Sequence, residues 1–222
     1  MSDLSGKFSF ASFLLKCFAI YQVTFQKAIL TQISVVNNDI IICITEHKEK
    51  RSKMAEKKAL IVIDLQKDYL WDKRKDMFTY DTEKLVGNVN SAIRSYGENG
   101  YDIIYIKHIL PKLLWGAGFS IRGTEGAEIY EGVDIVSDLI FEKNRSDTYT
   151  SKSFREHMEK TGYSEVVLTG LDECGCVGAT AMGAVRTGIK VKMLEKCIGS
   201  RFSQDKILKM REGLKKAGVE YI

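Results

Sequence analysis

Two cysteines stand one residue apart in the segment LTGLDECGCVGATAMGA, residues 168–184, where an apolar run gives way to glycines and alanines. Thiol groups in such a setting are compatible with four kinds of chemistry: metal ligation, a redox pair, a phosphate-binding loop and an activated nucleophile. The residues elsewhere in the chain decide among these four.

Three of the four chemistries lack the companions that they require. As metal ligands, Cys174 and Cys176 would be joined after residue 53 by only two histidines and one more cysteine: His108, His157 and Cys197. A redox pair normally has CxxC spacing, and the glycine spacing here is not that of a dinucleotide-binding loop. A nucleophile at a strand-to-helix turn is the interpretation that survives, and Cys174 is then a bystander.

Strands and helices alternate around these residues. Continuous apolar runs predict strands at 59–65, 101–108, 138–143, 164–170 and 189–195, followed by a short strand at 219–222. Apolar residues at helical spacing predict helices at 82–100, 150–162, 176–188 and 204–218. Such alternation is typical of βαβ units, so we predict an α/β fold with three layers. Its centre is a doubly wound, mostly parallel six-stranded sheet with helices on both faces.

Three reactive side chains follow or end predicted strands. Asp64 ends the first strand, Lys143 ends the third, and Cys176 follows the fourth. Because ligands bind beyond the carboxyl ends of the strands in such sheets, we expect the three to meet at one edge. A helix start and a nearby cation both stabilise negative charge, which favours a thiolate at Cys176. The structural alternatives are a turn-capping carboxylate, a solvated lysine and a buried thiol.

Composition and charge exclude several classes of function. The 222 residues are 45% hydrophobic and 28% charged, which is typical of one globular domain with a sizeable core. A net charge of +4 is too small and too dispersed to indicate a nucleic-acid partner. No apolar stretch reaches the roughly 20 residues of a membrane span. Five cysteines are an odd number, which favours reduced thiols in the cytoplasm over a disulfide framework.

Residues 1–53 have a different character from the rest. They combine an apolar segment without a clean period and a charged run that ends in KEKRSK. An export signal is one interpretation, but Lys16 interrupts the apolar centre and no clear cleavage site follows. We therefore predict that residues 1–53 are an extension, either disordered or translated from upstream of the true start. The domain is then residues 54–222.

Five segments, in order along residues 57–200, resemble the isochorismatase-like cysteine hydrolase family: ALIVIDLQKDYL, RGTEGAEI, FEKNRSDTYTSKSF, LTGLDECGCVGATAMGA and VKMLEKCIGS. The resemblance implies a catalytic triad in which Asp64 moves protons, Lys143 supplies positive charge and Cys176 is the nucleophile. It also implies an oxyanion hole made by the backbone N–H groups of Asp172 and Cys176, with a cis peptide bond at Leu171–Asp172.

Two differences between this sequence and members of that family restrict the type of reaction that the resemblance implies. Nicotinamidase-type relatives bind a metal through an Asp-x-His pair and a later histidine, whereas this chain has HILP at 108–111 and no further histidine before His157. We therefore expect no metal and no cofactor. Isochorismatases that cleave a vinyl ether do not use the cysteine, so Cys176 favours hydrolysis of a C–N bond in a small amide or carbamoyl substrate. Vinyl-ether hydrolysis and a non-catalytic binding or scaffold role remain the alternatives.

Candidates for substrate contact lie near predicted strand ends or in the glycine-rich loop at 115–129. They are Gln66, Tyr69, Trp71, Trp115, Phe119 and Tyr149. His108 ends the second strand, and we expect it at the rim of the pocket. The expected partners are a small-molecule substrate and further copies of the chain in a homo-oligomer, a dimer or a tetramer.

Overall fold

A six-stranded parallel sheet forms the centre of the protein. The computed structural model describes residues 56–72, 78, 80–112 and 118–222. In these residues the strands are β1 (Lys58–Ile63), β2 (Asp102–His108), β3 (Ile140–Lys143), β4 (Glu165–Gly170), β5 (Lys190–Ile198) and β6 (Glu220–Tyr221). They lie in the order β3-β2-β1-β4-β5-β6, and every pair is parallel. The predicted doubly wound α/β fold is confirmed.

Within the described ranges, five α-helices connect the strands: α1 (Lys67–Leu70), α2 (Thr82–Glu98), α3 (Lys152–Thr161), α4 (Gly178–Arg186) and α5 (Gln204–Lys216). The side chain of Asp81 accepts the N–H of Lys84 at 3.0 Å and so begins α2. The sequence pattern did not predict the single turn α1. The helix predicted from residue 176 begins two residues later, so Cys176 lies in the turn before it.

The core has two layers because the residues of each strand alternate between the faces of the sheet. In β1, Ala59, Ile61 and Ile63 pack on the face covered by α3, α4 and α5. Leu60 and Val62 pack on the opposite face against α2. All five are at most 2% exposed, which explains why β1 reads as a continuous apolar run.

The topology creates a crevice between β1 and β4. These strands are neighbours, but the chain leaves them toward opposite edges of the sheet. Such a switch point at the carboxyl ends of parallel strands is the usual ligand site of doubly wound sheets. Asp64 follows β1, and Cys176 lies six residues after the last residue of β4.

The prediction for residues 1–53 lies outside the described residues. In the described part of the chain, no helix combines the length and the hydropathy that crossing a bilayer requires.

Candidate active site

A buried ion pair lies at the switch point. The Lys143 ammonium donates a hydrogen bond to Oδ2 of Asp64 at 2.7 Å, and their side chains are 0% and 5% exposed. Burial alone would lower the pKa of Lys143, but the neighbouring Asp64 and Cys176 outweigh it and the pKa is raised. Lys143 is therefore a permanent positive charge in the site.

The backbone at Asp64 has an unusual conformation. Its φ of 55° lies in the left-handed region, which few residues other than glycine adopt, although aspartate and asparagine tolerate it best. The Asp64 N–H donates to the carbonyl of Ile106 at 3.0 Å, which continues the sheet by one bond and holds the turn. A strained and buried carboxylate at a ligand crevice is a marker of function.

A compact turn presents Cys176. At the end of β4, Gly170 has a φ of 107°, and a Cβ there would lie 2.0 Å from the carbonyl oxygen of Ile63. The Leu171–Asp172 peptide bond is cis, as the resemblance implied. Gly175 then has a non-helical backbone, with φ −125° and ψ −112°, immediately before Cys176. Glycines at these points let the turn pass close to β1 and place the thiol beside Asp64.

The surroundings of Cys176 favour a protonated thiol, whereas the sequence pattern favours a thiolate. Burial and the Asp64 charge raise the pKa of Cys176 to about 12, and the opposing effect of Lys143 is smaller. Single acceptor atoms of Asp64, His108 and Cys176 all lie within 4.8 Å of one another. Among the described residues, Oδ1 of Asp64 is buried without a hydrogen-bond partner. A carboxylate oxygen is therefore available to receive the thiol proton.

The side chain of Asp172 ties the nucleophile turn to the loop after β5. Its Oδ1 accepts the N–H of Cys174 and the hydroxyl of Ser200, each at 2.9 Å. Its Oδ2 accepts the N–H of Arg201 at 2.9 Å. The backbone N–H of Asp172, one of the two predicted oxyanion donors, has no acceptor among the described residues. Asp172 and Cys176 both line the cavity.

A cavity of about 250 Å³ opens onto these groups. It is lined by Asp64, Tyr69, Phe78, Tyr80, His108, Ser146, Leu171, Asp172, Gly175, Cys176, Arg201 and Phe202. The predicted triad members Asp64 and Cys176 reach the cavity, and Lys143 lies behind them. His108 lines the cavity, and one of its ring nitrogens lies within 4.8 Å of donor atoms of Asp64 and Cys176. Sequence reasoning missed the contributions of Phe78, Tyr80, Arg201 and Phe202, because they lie on loops outside the predicted strand ends.

Aromatic rings form one wall of the cavity. Tyr69 lines it, as predicted, and stacks on Phe119 with a centroid distance of 6.1 Å. Phe119 itself is not a lining residue; it packs behind Tyr69 and, edge to face, against Phe78 at 5.5 Å. The Arg201 guanidinium lies 5.7 Å from the Phe78 centroid and 5.3 Å from that of Phe202. The wall is thus apolar, with one cation at its edge.

Gln66 was predicted to contact substrate, but the structure uses its amide elsewhere. The residue is fully buried, and its Nε2 donates to the backbone carbonyls of His108 and Ala127 at 2.9 and 2.8 Å. Its Oε1 accepts the N–H of His108 at 2.7 Å. With these bonds made, Gln66 fixes the end of β2 and does not line the cavity.

Three other candidates also lie away from the cavity or cannot be placed. Tyr149 is buried in the core, where its ring packs edge to face on Phe154 at 5.1 Å. Trp71 is half-buried, with the Lys67 ammonium 5.8 Å from its ring centroid, and is not among the lining residues. Trp115 lies outside the described residues. Proximity to a strand end was too weak a criterion for these positions.

The donor atoms do not fit a resident metal ion. Within the described residues, the one group of three histidine, cysteine or carboxylate donors in reach of a common point is Asp64, His108 and Cys176. However, the Lys143 ammonium lies 2.7 Å from the Asp64 carboxylate and 3.2 Å from Nδ1 of His108. A metal cation there would have to displace a buried positive charge from its own partners.

The protein has an α/β fold with a crevice at the switch point of its sheet. A buried charge pair lies beside a thiol in this crevice, which is the kind of site that enzymes have. The family model described as Isochorismatase domain matches residues 58–219. The chain therefore belongs to the isochorismatase family, which is a family of hydrolases. The isochorismatase family protein YddQ of Bacillus subtilis is 26% identical over 138 residues, which are 62% of this chain and 74% of that protein.

Solved structures share the fold at lower sequence identity. The pyrazinamidase of Pyrococcus horikoshii in complex with zinc has a TM-score of 0.64 and 22% identity, covering 75% of this chain and 98% of that chain. The N-carbamoylsarcosine amidase of Thermoplasma acidophilum has a TM-score of 0.61 and 20% identity, covering 74% and 95%. At 20–22% sequence identity, the similarity to these two structures shows only that the fold is shared.

Proposed function

We propose that the protein is a metal-free cysteine hydrolase that cleaves the C–N bond of a small amide or carbamoyl substrate through a thioester intermediate. One observation carries this proposal. The Cys176 thiol and the Asp64 carboxylate, whose Oδ1 has no partner among the described residues, line the cavity beside the buried Lys143 ammonium, and the thiol sulfur lies within 4.8 Å of a carboxylate oxygen. A nucleophile beside a base that is itself oriented by a third group has the parts of a catalytic triad.

The first half of the reaction acylates the enzyme. Oδ1 of Asp64 takes the thiol proton as Sγ of Cys176 attacks the substrate carbonyl carbon, forming the S–C bond. As the Asp64 carboxylate takes up the proton, negative charge moves to the reacting groups. The Lys143 ammonium stabilises this charge. When the tetrahedral intermediate collapses, the C–N bond breaks and Asp64 returns the proton to the departing nitrogen, which leaves as ammonia or an amine. The acyl group remains on sulfur as a thioester.

Water completes the cycle. Asp64 takes a proton from the attacking water, whose oxygen bonds to the thioester carbon, and the S–C bond then breaks. Asp64 passes its proton to the departing sulfur, so the carboxylic acid product leaves and the thiol is restored. We assign the oxyanion of both tetrahedral intermediates to the backbone N–H groups of Asp172 and Cys176.

The size of the cavity supports a small substrate. Pockets for drug-sized ligands span about 300–1,000 Å³, so 250 Å³ suits a molecule of only several non-hydrogen atoms. The two structural neighbours described above are named as amidases, and that class is the one we extend to this chain.

Ammonia release from a panel of small amides and ureides tests the proposal. Cys176→Ser should abolish turnover, and the matched control Cys174→Ser should retain it, because the Cys174 side chain does not line the cavity. Intact-mass analysis of the wild-type protein during turnover should show the acyl adduct, and the Cys176→Ser protein should lack it. Cleavage of a vinyl-ether substrate that survives Cys176→Ala would instead support vinyl-ether chemistry, which needs no thiol. Binding of panel compounds without turnover would support a non-catalytic member.

The cellular setting and the assembly are further parts of the proposal. The three described cysteines are free thiols, which suits a reducing cytoplasm. We also propose a homo-oligomer, a dimer or a tetramer, whose mass light scattering after size-exclusion chromatography would give.

A further inference from the structure

One hydrogen bond determines which nitrogen of His108 carries its proton. The strand register places His108 directly beside Lys143, and Nδ1 of the imidazole lies 3.2 Å from the Lys143 ammonium. An ammonium has hydrogens to donate and no lone pair, so Nδ1 must be the acceptor. The imidazole is then neutral, with its proton on Nε2. Burial and the charge of Lys143 lower the pKa of His108, which keeps this neutral form at physiological pH.

The remaining donor of the ring faces the cavity. Nδ1 points to a fully buried ammonium, yet His108 lines the cavity, so the opposite edge of the ring is the one in reach of a ligand. Among the described residues, Nε2 has no hydrogen-bond partner, and it is not one of the buried side-chain atoms that lack one. It is therefore an accessible N–H group.

This N–H is held in place before any ligand arrives. Gln66 donates to the carbonyl of His108 and accepts from its N–H, at 2.9 and 2.7 Å, while Lys143 holds the ring. A donor fixed at both backbone and side chain loses little entropy when it binds a ligand. A ring nitrogen of His108 also lies within 4.8 Å of the Cys176 sulfur, so its ligand atom must sit close to the carbonyl under attack.

We propose that His108 is a substrate-binding residue that selects amides bearing a second hydrogen-bond acceptor, a carboxylate above all, next to the scissile carbonyl. The inference rests on the proposed function and narrows its substrate class. Arg201 favours an anionic acceptor in the same cavity. Its side chain is 51% exposed, and its Nε lies 3.9 Å from the Asp172 carboxylate, so its charge is only partly compensated.

Two substitutions separate the two nitrogens of His108. His108→Asn places an amide oxygen near the Nδ1 position, which keeps the acceptor for Lys143 but removes the cavity donor. His108→Gln places an amide N–H near the Nε2 position, which keeps the donor but removes the acceptor. A residue that only supported Lys143 would tolerate asparagine better, whereas a residue that binds substrate would tolerate glutamine better.

The test measures how well malonamate and propionamide protect Cys176 from iodoacetamide, with Cys174 in the same protein as the internal control. The two compounds share an amide, but only malonamate carries a carboxylate beside it. In the wild-type protein, malonamate should protect at lower concentration than propionamide. His108→Asn should reduce this advantage about tenfold, the effect of one hydrogen bond to a charged group, and His108→Gln should retain most of it.

Several results would overturn the inference. In the wild-type protein, these results are equal protection by malonamate and propionamide, or no protection by either compound. In the variants, they are an equal loss of the malonamate advantage in His108→Asn and His108→Gln, or a greater loss in His108→Gln. Protection requires no turnover, so the inference can fail while hydrolysis of other amides still supports the proposed function. It can equally succeed in a protein that binds these amides without cleaving them.

Discussion

Replacing Asp64, the proposed base, should lower the pKa of the Cys176 thiol. In the wild-type protein burial and Asp64 raise the pKa of Cys176, and Lys143 lowers it. Asp64→Asn deletes one of the two raising effects and leaves Lys143 in place, so the pKa of the thiol should fall from about 12. Asparagine is the right replacement because it keeps the shape of the side chain and tolerates the φ of 55°.

The distance between the two groups sets the size of this effect. A carboxylate oxygen and the sulfur lie within 4.8 Å. At that distance and an effective dielectric constant of about 20, one charge acts on another with about 3.5 kcal/mol. This energy corresponds to a factor of about several hundred in the ionisation constant of the thiol. Lys143→Met is the matched control of opposite sign, because it deletes the lowering effect and should raise the pKa.

The rate of iodoacetamide alkylation as a function of pH measures this ionisation, with the labelled cysteine mapped by mass. At mildly alkaline pH, Cys176 should react faster in Asp64→Asn than in the wild-type protein, although turnover is lost. Cys174 in the same samples should react equally in both proteins. An unchanged profile for Cys176, or one displaced to higher pH, would show that Asp64 does not act on the thiol and would refute the triad geometry.

Three further predictions concern stability and the role of the second thiol. Lys143→Met leaves the buried Asp64 carboxylate unpaired and should lower the free energy of unfolding by about 3–5 kcal/mol, whereas the Lys143→Met, Asp64→Asn double variant should recover most of this in urea titrations. Gly170→Ala should cost at least about 3 kcal/mol, because the new Cβ meets a backbone oxygen at 2.0 Å and φ is 107°; Gly87→Ala, at an open helical position, should instead stabilise by about 0.5–1 kcal/mol. Cys174→Ser should leave kcat/KM for any amide substrate within about twofold, since one hydrogen bond at most is altered away from the cavity.

The fold and the meeting of the three reactive side chains could be predicted because they follow from short-range pattern. β1 and β4 are buried on both faces and therefore read as unbroken apolar runs. Once strands alternate with helices, the parallel arrangement follows, and the residues after each strand must share one edge. Asp64 and Cys176 are such residues, and Lys143 reaches them because its strand ends at the same edge.

The remaining features of the site depend on contacts between segments far apart in sequence. Gln66 immediately follows the turn at Asp64, as a ligand-binding residue would, but its amide is used by a backbone 42 residues away. Arg201 and Phe78 meet only after folding, from loops without regular structure. The sequence favours a thiolate at Cys176, whereas burial and Asp64 raise the pKa of the thiol, because a sequence shows the nearby cation and helix but not the depth of burial or the distance to Asp64.

The carboxylate of Asp172 has a consequence for how this protein can change its substrate. It fastens the nucleophile turn and the stretch at 200–201 into one unit, so a substitution at Arg201 that shifts its backbone also shifts the sulfur. On the opposite wall, the Tyr69 hydroxyl accepts a hydrogen bond from the Ser120 hydroxyl at 2.8 Å, and its ring stacks on Phe119. Substitutions on the aromatic side of the cavity should therefore change substrate specificity with less loss of activity. They can alter the lining without moving the nucleophile turn.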